Sequence, residues 1–179
     1  VSTLSDKYEL FDFLSGWLRK LSPPDLSYAV NDLARRYSAD AAQLSRSASL
    51  DWQDLAKLAA DPNVTFGSAT VNYSALSSLR DADAEREMAM GKAVAESALR
   101  RPVRHFAYPF GDREAFARAH VVMAEEAGFA SAVSTISGVV EAQGRTNLYA
   151  LPRIAWDGRV RSLRIMRVLL SGVMFAPVR

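Results

Sequence analysis

Short apolar segments alternate with long helical ones after Asp61-Pro62, and this alternation limits the possible folds more than any other feature of the chain. The short segments are β-rich or continuously apolar, as buried strands are: residues 64–67, 105–108, 129–135 and 148–154. The intervening segments carry apolar residues at helical spacing: residues 81–99, 113–127 and 159–171. Strands that alternate with helices are typical of parallel β/α units. We therefore predict an α/β fold for residues 61–179.

The first 60 residues have a different, wholly helical pattern. Apolar residues recur at steps of three and four between residues 7 and 21, until Ser22-Pro23-Pro24 ends the pattern. The remaining elements are a helix, a short turn and a helix with Asp51 as its N-cap, predicted over residues 25–37, 39–44 and 52–60. We predict that residues 1–60 form a helical extension packed on the domain, and that the chain is a single domain overall.

The composition excludes several classes of protein. With 49% hydrophobic and 23% charged residues, the chain is typical of a globular protein. Its 22 Lys and Arg alternate with 20 Asp and Glu, whereas a nucleic-acid-binding protein concentrates cations on one face, so no nucleic acid is expected. The absence of cysteine excludes disulfides and thiolate chemistry. The apolar stretch at residues 168–177 is shorter than the ~20 residues of a membrane span, so no span is expected, and no compartment is assigned.

Functional residues of β/α folds lie on the loops that follow the strands, because the carboxyl ends of parallel strands meet at one crevice. In this sequence those loops are residues 67–76, 109–112 and 134–139. Their polar side chains are hydroxyls, one amide and one carboxylate, with Arg113 directly after the second loop. We expect the chemistry of the protein at this edge of the sheet.

Five segments, in the same order along the chain, resemble the polysaccharide deacetylases of the NodB-homology type. They are residues 50–55, 61–76, 101–112, 127–135 and 151–154, and Phe106-Ala-Tyr-Pro-Phe-Gly111 is the most specific part. The resemblance implies a distorted (β/α) barrel that removes N-acetyl groups from an amino-sugar polymer by metal-dependent amide hydrolysis. It also implies a barrel incomplete at its N-terminus, since the family's first strand would lie before Val1.

The metal site that the resemblance implies departs from the family at the histidine positions. In the family, one Asp from the first strand and two His from a loop hold a divalent, zinc-like metal. The loop corresponds to residues 67–73, where Ala69 and Tyr73 take the two histidine positions and Thr70 keeps the hydroxyl between them. Alanine has no ligand atom, and a phenol with a pKa near ~10 is a poor zinc ligand. We predict a degenerate metal site and no cofactor in this chain; a different ligand set is the alternative.

The resemblance also suggests roles for residues on the other loops. The backbone N–H of Phe110 corresponds to the group that holds the oxyanion, a role that needs no particular side chain. Asp112 is either catalytic or the cap of the following helix. Tyr108 and Arg153 are the predicted substrate contacts, with a structural salt bridge as the alternative for Arg153. Ala107 takes the place of the family's more usual Arg. Together with the altered histidine positions, these side chains are expected to line one pocket.

We predict structural roles for two histidines and two tryptophans that lie outside these loops. His105 and His120 have no convergent carboxylates at a metal-binding spacing, so we predict that both are structural and hydrogen-bonded. Trp52 and Trp156 are predicted to be core or interface residues, with stacking on a sugar ring as the alternative.

Two functions follow from these residues, with a carbohydrate polymer as the partner in both. The first is a polysaccharide deacetylase, active only if an upstream segment supplies the acidic pair and other ligands compensate for Ala69 and Tyr73. The second is a non-catalytic carbohydrate-binding or scaffold protein that keeps the groove. An unrelated β/α protein is the remaining alternative. A strand left unpaired by the missing first strand would pair readily with another chain, so self-association is also expected.

Overall fold

A computed structural model describes residues 3–140, 146–156, 158 and 161–175 of the chain. The chain divides into two compact units, Val1–Thr65 and Phe66–Arg179. The first two residues of the helix predicted over 159–171 lie outside the described residues. Within the described part, no helix is long and apolar enough to cross a membrane.

The first unit contains four helices, each of which begins at a side-chain cap. They are α1 (Leu4–Leu18), α2 (Pro23–Arg36), α3 (Ala41–Ala48) and α4 (Trp52–Ala59). The caps are Thr3, Ser22, Asp40 and Asp51, whose oxygens accept hydrogen bonds from backbone N–H groups of the first turns. None of the described residues in these four helices is fully buried. The apolar side chains of this unit are therefore not sequestered in a core of their own.

One helix of the first unit is longer than its sequence pattern predicts. The short turn predicted over residues 39–44 is the start of α3, which continues to Ala48 through a polar Ser-Arg-Ser sequence. The Asp40 carboxylate accepts a hydrogen bond from the backbone N–H of Gln43 at 2.8 Å. This cap satisfies one of the free N–H groups at the helix start, and so favours a helix where hydrophobic spacing alone shows none.

The second unit is built around a small parallel sheet covered by two helices. Its elements are α5 (Asp81–Leu99), β1 (His105–Ala107), α6 (Arg118–Glu126), β2 (Ser131–Val133) and α7 (Leu163–Leu170), with single 3₁₀ turns at Leu76–Ser78 and Leu148–Ala150. Fully buried side chains of α5, β1, α6 and β2 meet in one core: Met88, Phe106, Ala124 and Ala132 are among them. The predicted helix over residues 81–99 is confirmed, as is the alternation of helix and strand.

The sheet pairs β1 with β2 in parallel, with Phe106 opposite Ala132. Single bridges extend it on both sides, from Ser68 to Phe106 and from Val133 to Leu151. The spatial order is therefore residue 68, β1, β2, residue 151, with parallel pairing throughout. The described residues form two strands rather than a closed barrel.

Three predicted elements of the second unit differ most from the structure. Residues 64–67 form no strand; pairing starts at Ser68, whose N–H donates to the His105 carbonyl at 2.7 Å. The segment 148–154 pairs at a single residue because its first part is the 3₁₀ turn. The helix predicted from Arg113 begins at Arg118, because a turn occupies residues 113–115.

Both histidines are hydrogen-bonded, and Trp52 and Trp156 lie at the surface. His105 Nδ1 lies 2.9 Å from the Ser131 hydroxyl, and His120 Nδ1 accepts a hydrogen bond from the Ala117 N–H at 2.9 Å, so both rings are hydrogen-bonded as predicted. Trp52 and Trp156 are exposed, so neither belongs to the core. His120 is buried at the start of α6, where its ring caps the helix.

Stability is expected to fall when His120 is protonated. Burial lowers the pKa of His120 below its ordinary value of 6.5, against a smaller opposing effect of Asp81. As the pH falls, the unfolded chain binds the proton before the folded one, so the free energy of unfolding should be constant above pH ~7 and decrease below ~6.5. The slope of this decrease is at most about 1.4 kcal/mol per pH unit for one proton.

Urea unfolding between pH 5 and 8 measures this effect. His120→Asn keeps an acceptor for the Ala117 N–H but cannot be protonated in this range, so its decrease should be smaller than that of the unchanged chain. His105→Asn is the matched control and should keep the decrease. Identical pH profiles for the unchanged chain and His120→Asn would show that His120 does not contribute.

Candidate functional site

The loop after Ser68 is held by helix α5. The Glu87 carboxylate accepts hydrogen bonds from the Asn72 N–H at 2.9 Å and from its side-chain amide at 2.5 Å. The Glu87 carbonyl accepts a third from the Val71 N–H at 3.2 Å. Gly91, one turn further along α5, lies so close to the loop that an added Cβ would overlap the Ala69 carbonyl oxygen. Helix α5 therefore fixes the position of Ala69 and of the residues that follow it.

Two aromatic side chains meet where this loop approaches the loop after β1. The rings of Tyr73 and Phe110 lie 5.5 Å apart between centroids, in an edge-to-face arrangement. Both residues have left-handed backbone conformations, with φ of 54° and 60°. Such a conformation costs a bulky residue roughly 1–3 kcal/mol, and residues held in this way concentrate at binding and catalytic sites. This pair therefore marks the candidate site.

The loop after β1 is locked to the loop after β2. The Thr135 hydroxyl donates to the Phe110 carbonyl, and its backbone N–H donates to the Gly111 carbonyl, both at 2.8 Å. Gly111 has a φ of 71°, and a Cβ at this position would lie 2.8 Å from the Thr135 nitrogen. Both the conformation and the close approach require glycine here. The turn that presents Phe110 is thus fixed by backbone contacts.

Arg153 belongs to the same group of loops. Its Nε–H donates to the Ser134 carbonyl at 2.5 Å, and its backbone N–H donates to the Ile136 carbonyl at 3.1 Å. The residue remains exposed. A guanidinium carries five N–H donors, so the bond to Ser134 orients the group without using all of its donors. Among the described residues, Arg153 forms backbone hydrogen bonds and no salt bridge.

Tyr108 lies in the core rather than on the groove. Its side chain is 2% exposed and stacks on Phe116 with ring centroids 4.0 Å apart. Its hydroxyl donates to the Tyr149 carbonyl at 2.8 Å, and burial raises its pKa. The predicted substrate contact must be corrected, because this side chain has no surface left for a sugar.

Asp112 caps a turn. One of its carboxylate oxygens accepts hydrogen bonds from the backbone N–H groups of Glu114 at 3.1 Å and Ala115 at 3.0 Å. This is the capping role given above as one of its two interpretations, although the capped segment is a turn and the helix starts later. The arrangement gives the carboxylate a structural task in this site.

Ala69 lines a cavity of about 430 Å³ on the face of the sheet opposite the core. The other lining residues belong to the loop start and to β1 and β2: Gly67, Ser68, His105, Phe106, Ala107, Ser131 and Val133. Tyr73 and Phe110 do not line it. Ala69 is therefore separated from Tyr73 and Phe110, against the prediction of a single pocket. We call Tyr73, Phe110 and Arg153, which lie on the neighbouring loops, the loop site.

The residues that the resemblance assigns to the metal site do not fit a metal ion. Ala69 supplies no ligand atom, the Tyr73 ring packs on Phe110, and the Asp112 carboxylate caps backbone N–H groups. Across residues 3–140, 146–156, 158 and 161–175, no three His, Cys, Asp or Glu side chains cluster closely enough to hold a metal ion. A tetrahedral zinc site with three protein ligands cannot be assembled from these groups.

Sequence reasoning missed Glu87, which holds the loop in place. A signal for it exists in the spacing along α5: Glu87 lies four residues before Gly91, and residues at this spacing share a helix face. A glycine within a long helix indicates close approach of another backbone, so a carboxylate one turn away is placed to accept that backbone's N–H groups.

Several solved structures share the fold of this chain. The Streptococcus pyogenes deacetylase PplD, solved with acetate, matches with a TM-score of 0.54 and 21% identity over 63% of this chain and 47% of its own. A proposed polysaccharide deacetylase of Bacillus anthracis matches with a TM-score of 0.52 and 21% identity, over 59% of this chain and 32% of its own. A polysaccharide deacetylase of Bacillus cereus gives 0.50 and 18%, over the same shares.

The chain thus spans about half the length of the first of these proteins and about a third of the other two. The comparison with curated proteins found no match. The polysaccharide deacetylase family, however, matches over residues 18–132, which include the loop of Ala69 and Tyr73, strand β1 and the first two residues of β2. On this match, the chain belongs to the polysaccharide deacetylase family.

Proposed function

We propose that this chain binds an amino-sugar polysaccharide at the loop site of Tyr73, Phe110 and Arg153, and does not itself hydrolyse N-acetyl groups. The observation that carries this proposal is the Tyr73–Phe110 ring pair, in which both residues have a left-handed backbone conformation. The resemblance places Tyr73 at one of the family's histidine positions. We further propose that the parallel strands are part of a family-type barrel.

The chemistry of the site suits a sugar chain. Tyr73 is 58% exposed, so its ring offers an apolar face and a hydroxyl to a ligand. The Arg153 guanidinium offers N–H donors to sugar oxygens. The backbone N–H of Phe110, the predicted oxyanion donor, is proposed to approach the carbonyl oxygen of a bound N-acetyl group.

The absence of hydrolysis follows from the groups present. In the family the metal polarises the amide carbonyl and activates a water molecule. Since Ala69 and Tyr73 do not fit a metal ligand set, the site retains groups that hold a sugar but lacks those that activate water. A carboxylate from elsewhere in the protein would be needed to change this, and it would still leave both histidine positions altered.

Titration calorimetry with an N-acetylglucosamine hexamer tests the binding site. Tyr73→Ala is expected to weaken binding about tenfold, since loss of a stacked ring removes roughly 1–1.5 kcal/mol. Tyr8→Ala removes an equally exposed tyrosine from α1 and should leave the affinity unchanged. Equal affinities of the unchanged chain and Tyr73→Ala would place the sugar elsewhere.

Acetate release from the same hexamer tests the absence of catalysis. We expect none from the 179-residue chain, with or without added zinc, and none after Ala69→His and Tyr73→His are introduced together. Acetate release by the unchanged chain that a chelator abolishes would establish the deacetylase function instead. Self-association through an unpaired strand edge stays a prediction.

A further inference from the structure

A second cavity, far along the sequence from the loop site, lies within the first unit. It has a volume of about 540 Å³ and is formed by the end of α1, the connection that follows, and one face of α2. Its lining combines aromatic and charged side chains: Trp17, Tyr28 and Tyr37, with Asp25, Asp32 and Arg36. We call it the α1–α2 cleft. Trp17 lies before residue 18, where the family match begins, and the other lining residues, between 21 and 37, lie within the matched region.

The aromatic side chains of the α1–α2 cleft are available to a ligand. Trp17 is 45% exposed, Tyr28 74% and Tyr37 79%. None of the described residues in α1 or α2 is fully buried, so these rings are not part of a core. Exposed aromatic rings that line a concave surface together with carboxylates are suited to sugar rings, because the ring face is apolar and the rim accepts hydroxyl hydrogen bonds.

The charged groups of the cleft favour a cationic ligand. Asp32 is paired with Arg35 at 2.7 Å and Arg36 at 2.6 Å, and the hydrogen bond from Arg35 lowers the pKa of Asp32. Asp25, in the first turn of α2, accepts a hydrogen bond from the Ser22 hydroxyl at 2.6 Å. No cation within the described ranges forms an ion pair with Asp25. The cleft therefore presents one carboxylate that is not neutralised, next to aromatic rings.

We propose that the α1–α2 cleft binds a sugar chain carrying free amino groups, with its rings on Trp17 and Tyr28 and an ammonium group at Asp25. An ammonium ion is attracted both to a carboxylate and to the faces of aromatic rings. Such a chain is the product of removing N-acetyl groups from an amino-sugar polymer. The inference rests on the proposed function for the class of ligand, and it assigns a second site with the opposite preference: N-acetylated sugar at the loop site, de-N-acetylated sugar at the cleft.

Titration of the full chain with three hexamers tests the α1–α2 cleft: β-1,4-linked glucosamine, N-acetylglucosamine and glucose. The glucosamine hexamer is expected to bind at least five times more tightly to the unchanged chain than the glucose hexamer, with an affinity that falls as salt is added. Trp17→Ala should weaken glucosamine binding about tenfold, and Asp25→Asn should remove the preference over glucose. Tyr28 is highly exposed, and Tyr28→Ala is a second variant that should also weaken glucosamine binding about tenfold.

Trp52→Ala is the matched control, since Trp52 is an exposed tryptophan of the same unit that does not line the cleft. It should bind the glucosamine hexamer like the unchanged chain. Equal weakening by Trp52→Ala, retained binding in both Trp17→Ala and Tyr28→Ala, or equal affinity for glucosamine and glucose hexamers would each overturn the proposal. So would light scattering that shows a dimer lost in Trp17→Ala, because a second copy would then occupy the cleft.

The two sites can fail independently. Tyr73→Ala is expected to leave glucosamine binding unchanged, and Trp17→Ala to leave N-acetylglucosamine binding unchanged. Glucosamine binding that does not depend on Trp17, in a chain whose N-acetylglucosamine binding depends on Tyr73, would rule out the cleft and preserve the proposed function. Glucosamine binding that depends on Trp17, in a chain whose N-acetylglucosamine binding does not depend on Tyr73, would preserve the cleft and remove the loop site.

Discussion

Gly91→Ala is expected to destabilise the second unit by about 3 kcal/mol, at the upper end of the usual cost of overpacking. The added methyl group would overlap the carbonyl oxygen of Ala69, and backbone cannot move aside as the end of a flexible side chain can. Relief requires α5 to move away from the loop, which breaks the hydrogen bonds from Asn72 to Glu87. Tyr73 would then lose its position against Phe110, so sugar binding at the loop site should fall together with stability.

Urea unfolding gives the change in stability, and amide exchange at Phe106 reports on the second unit alone. Gly16→Ala is the matched control, because this helical glycine of α1 has no atoms within 4 Å of an added Cβ. There the same substitution should stabilise its helix by up to about 1 kcal/mol, through helix propensity. Stabilisation by both substitutions would show that α5 does not approach the loop as described.

Tyr108→Ala is expected to lower the free energy of unfolding by about 3–5 kcal/mol, as truncation of a large buried aromatic residue does. The variant loses the stack on Phe116, the edge contact with Phe106 at 5.1 Å and the hydrogen bond to Tyr149. Tyr108→Phe keeps the ring and removes the hydroxyl, so it should cost about 1–2 kcal/mol, because the Tyr149 carbonyl is left without this donor.

Calorimetric unfolding and sugar titration of Tyr108→Phe together separate a core role from a substrate role. A core residue loses stability and keeps affinity for the N-acetylglucosamine hexamer, which is the expected result. Tyr8→Ala, at an exposed site, should change stability by no more than about 0.5 kcal/mol. A normal stability with a tenfold loss of sugar affinity in Tyr108→Phe would restore the original substrate assignment.

Hydrophobic spacing was sufficient for the long helix of the second unit, whose stability is largely local. The helix over residues 81–99 satisfies its own backbone hydrogen bonds, and its small and apolar residues recur at helical steps, so its bounds are readable from the sequence. Strand pairing is different, because its hydrogen bonds join distant residues. The β-rich segment 64–67 therefore predicts a strand, whereas the bonds to His105 and Ala107 form at Ser68.

The sequence by itself determined the parallel β/α pattern, the helical first unit and the family. Only the tertiary structure decided which side chains reach the site. Tyr108 and Phe110 are two residues apart, yet the left-handed backbone at Phe110, held by Thr135, brings its ring to Tyr73 while Tyr108 stays in the core. Side-chain direction at a turn depends on contacts across 25 residues of chain, from Phe110 to Thr135, and no local periodicity records such contacts.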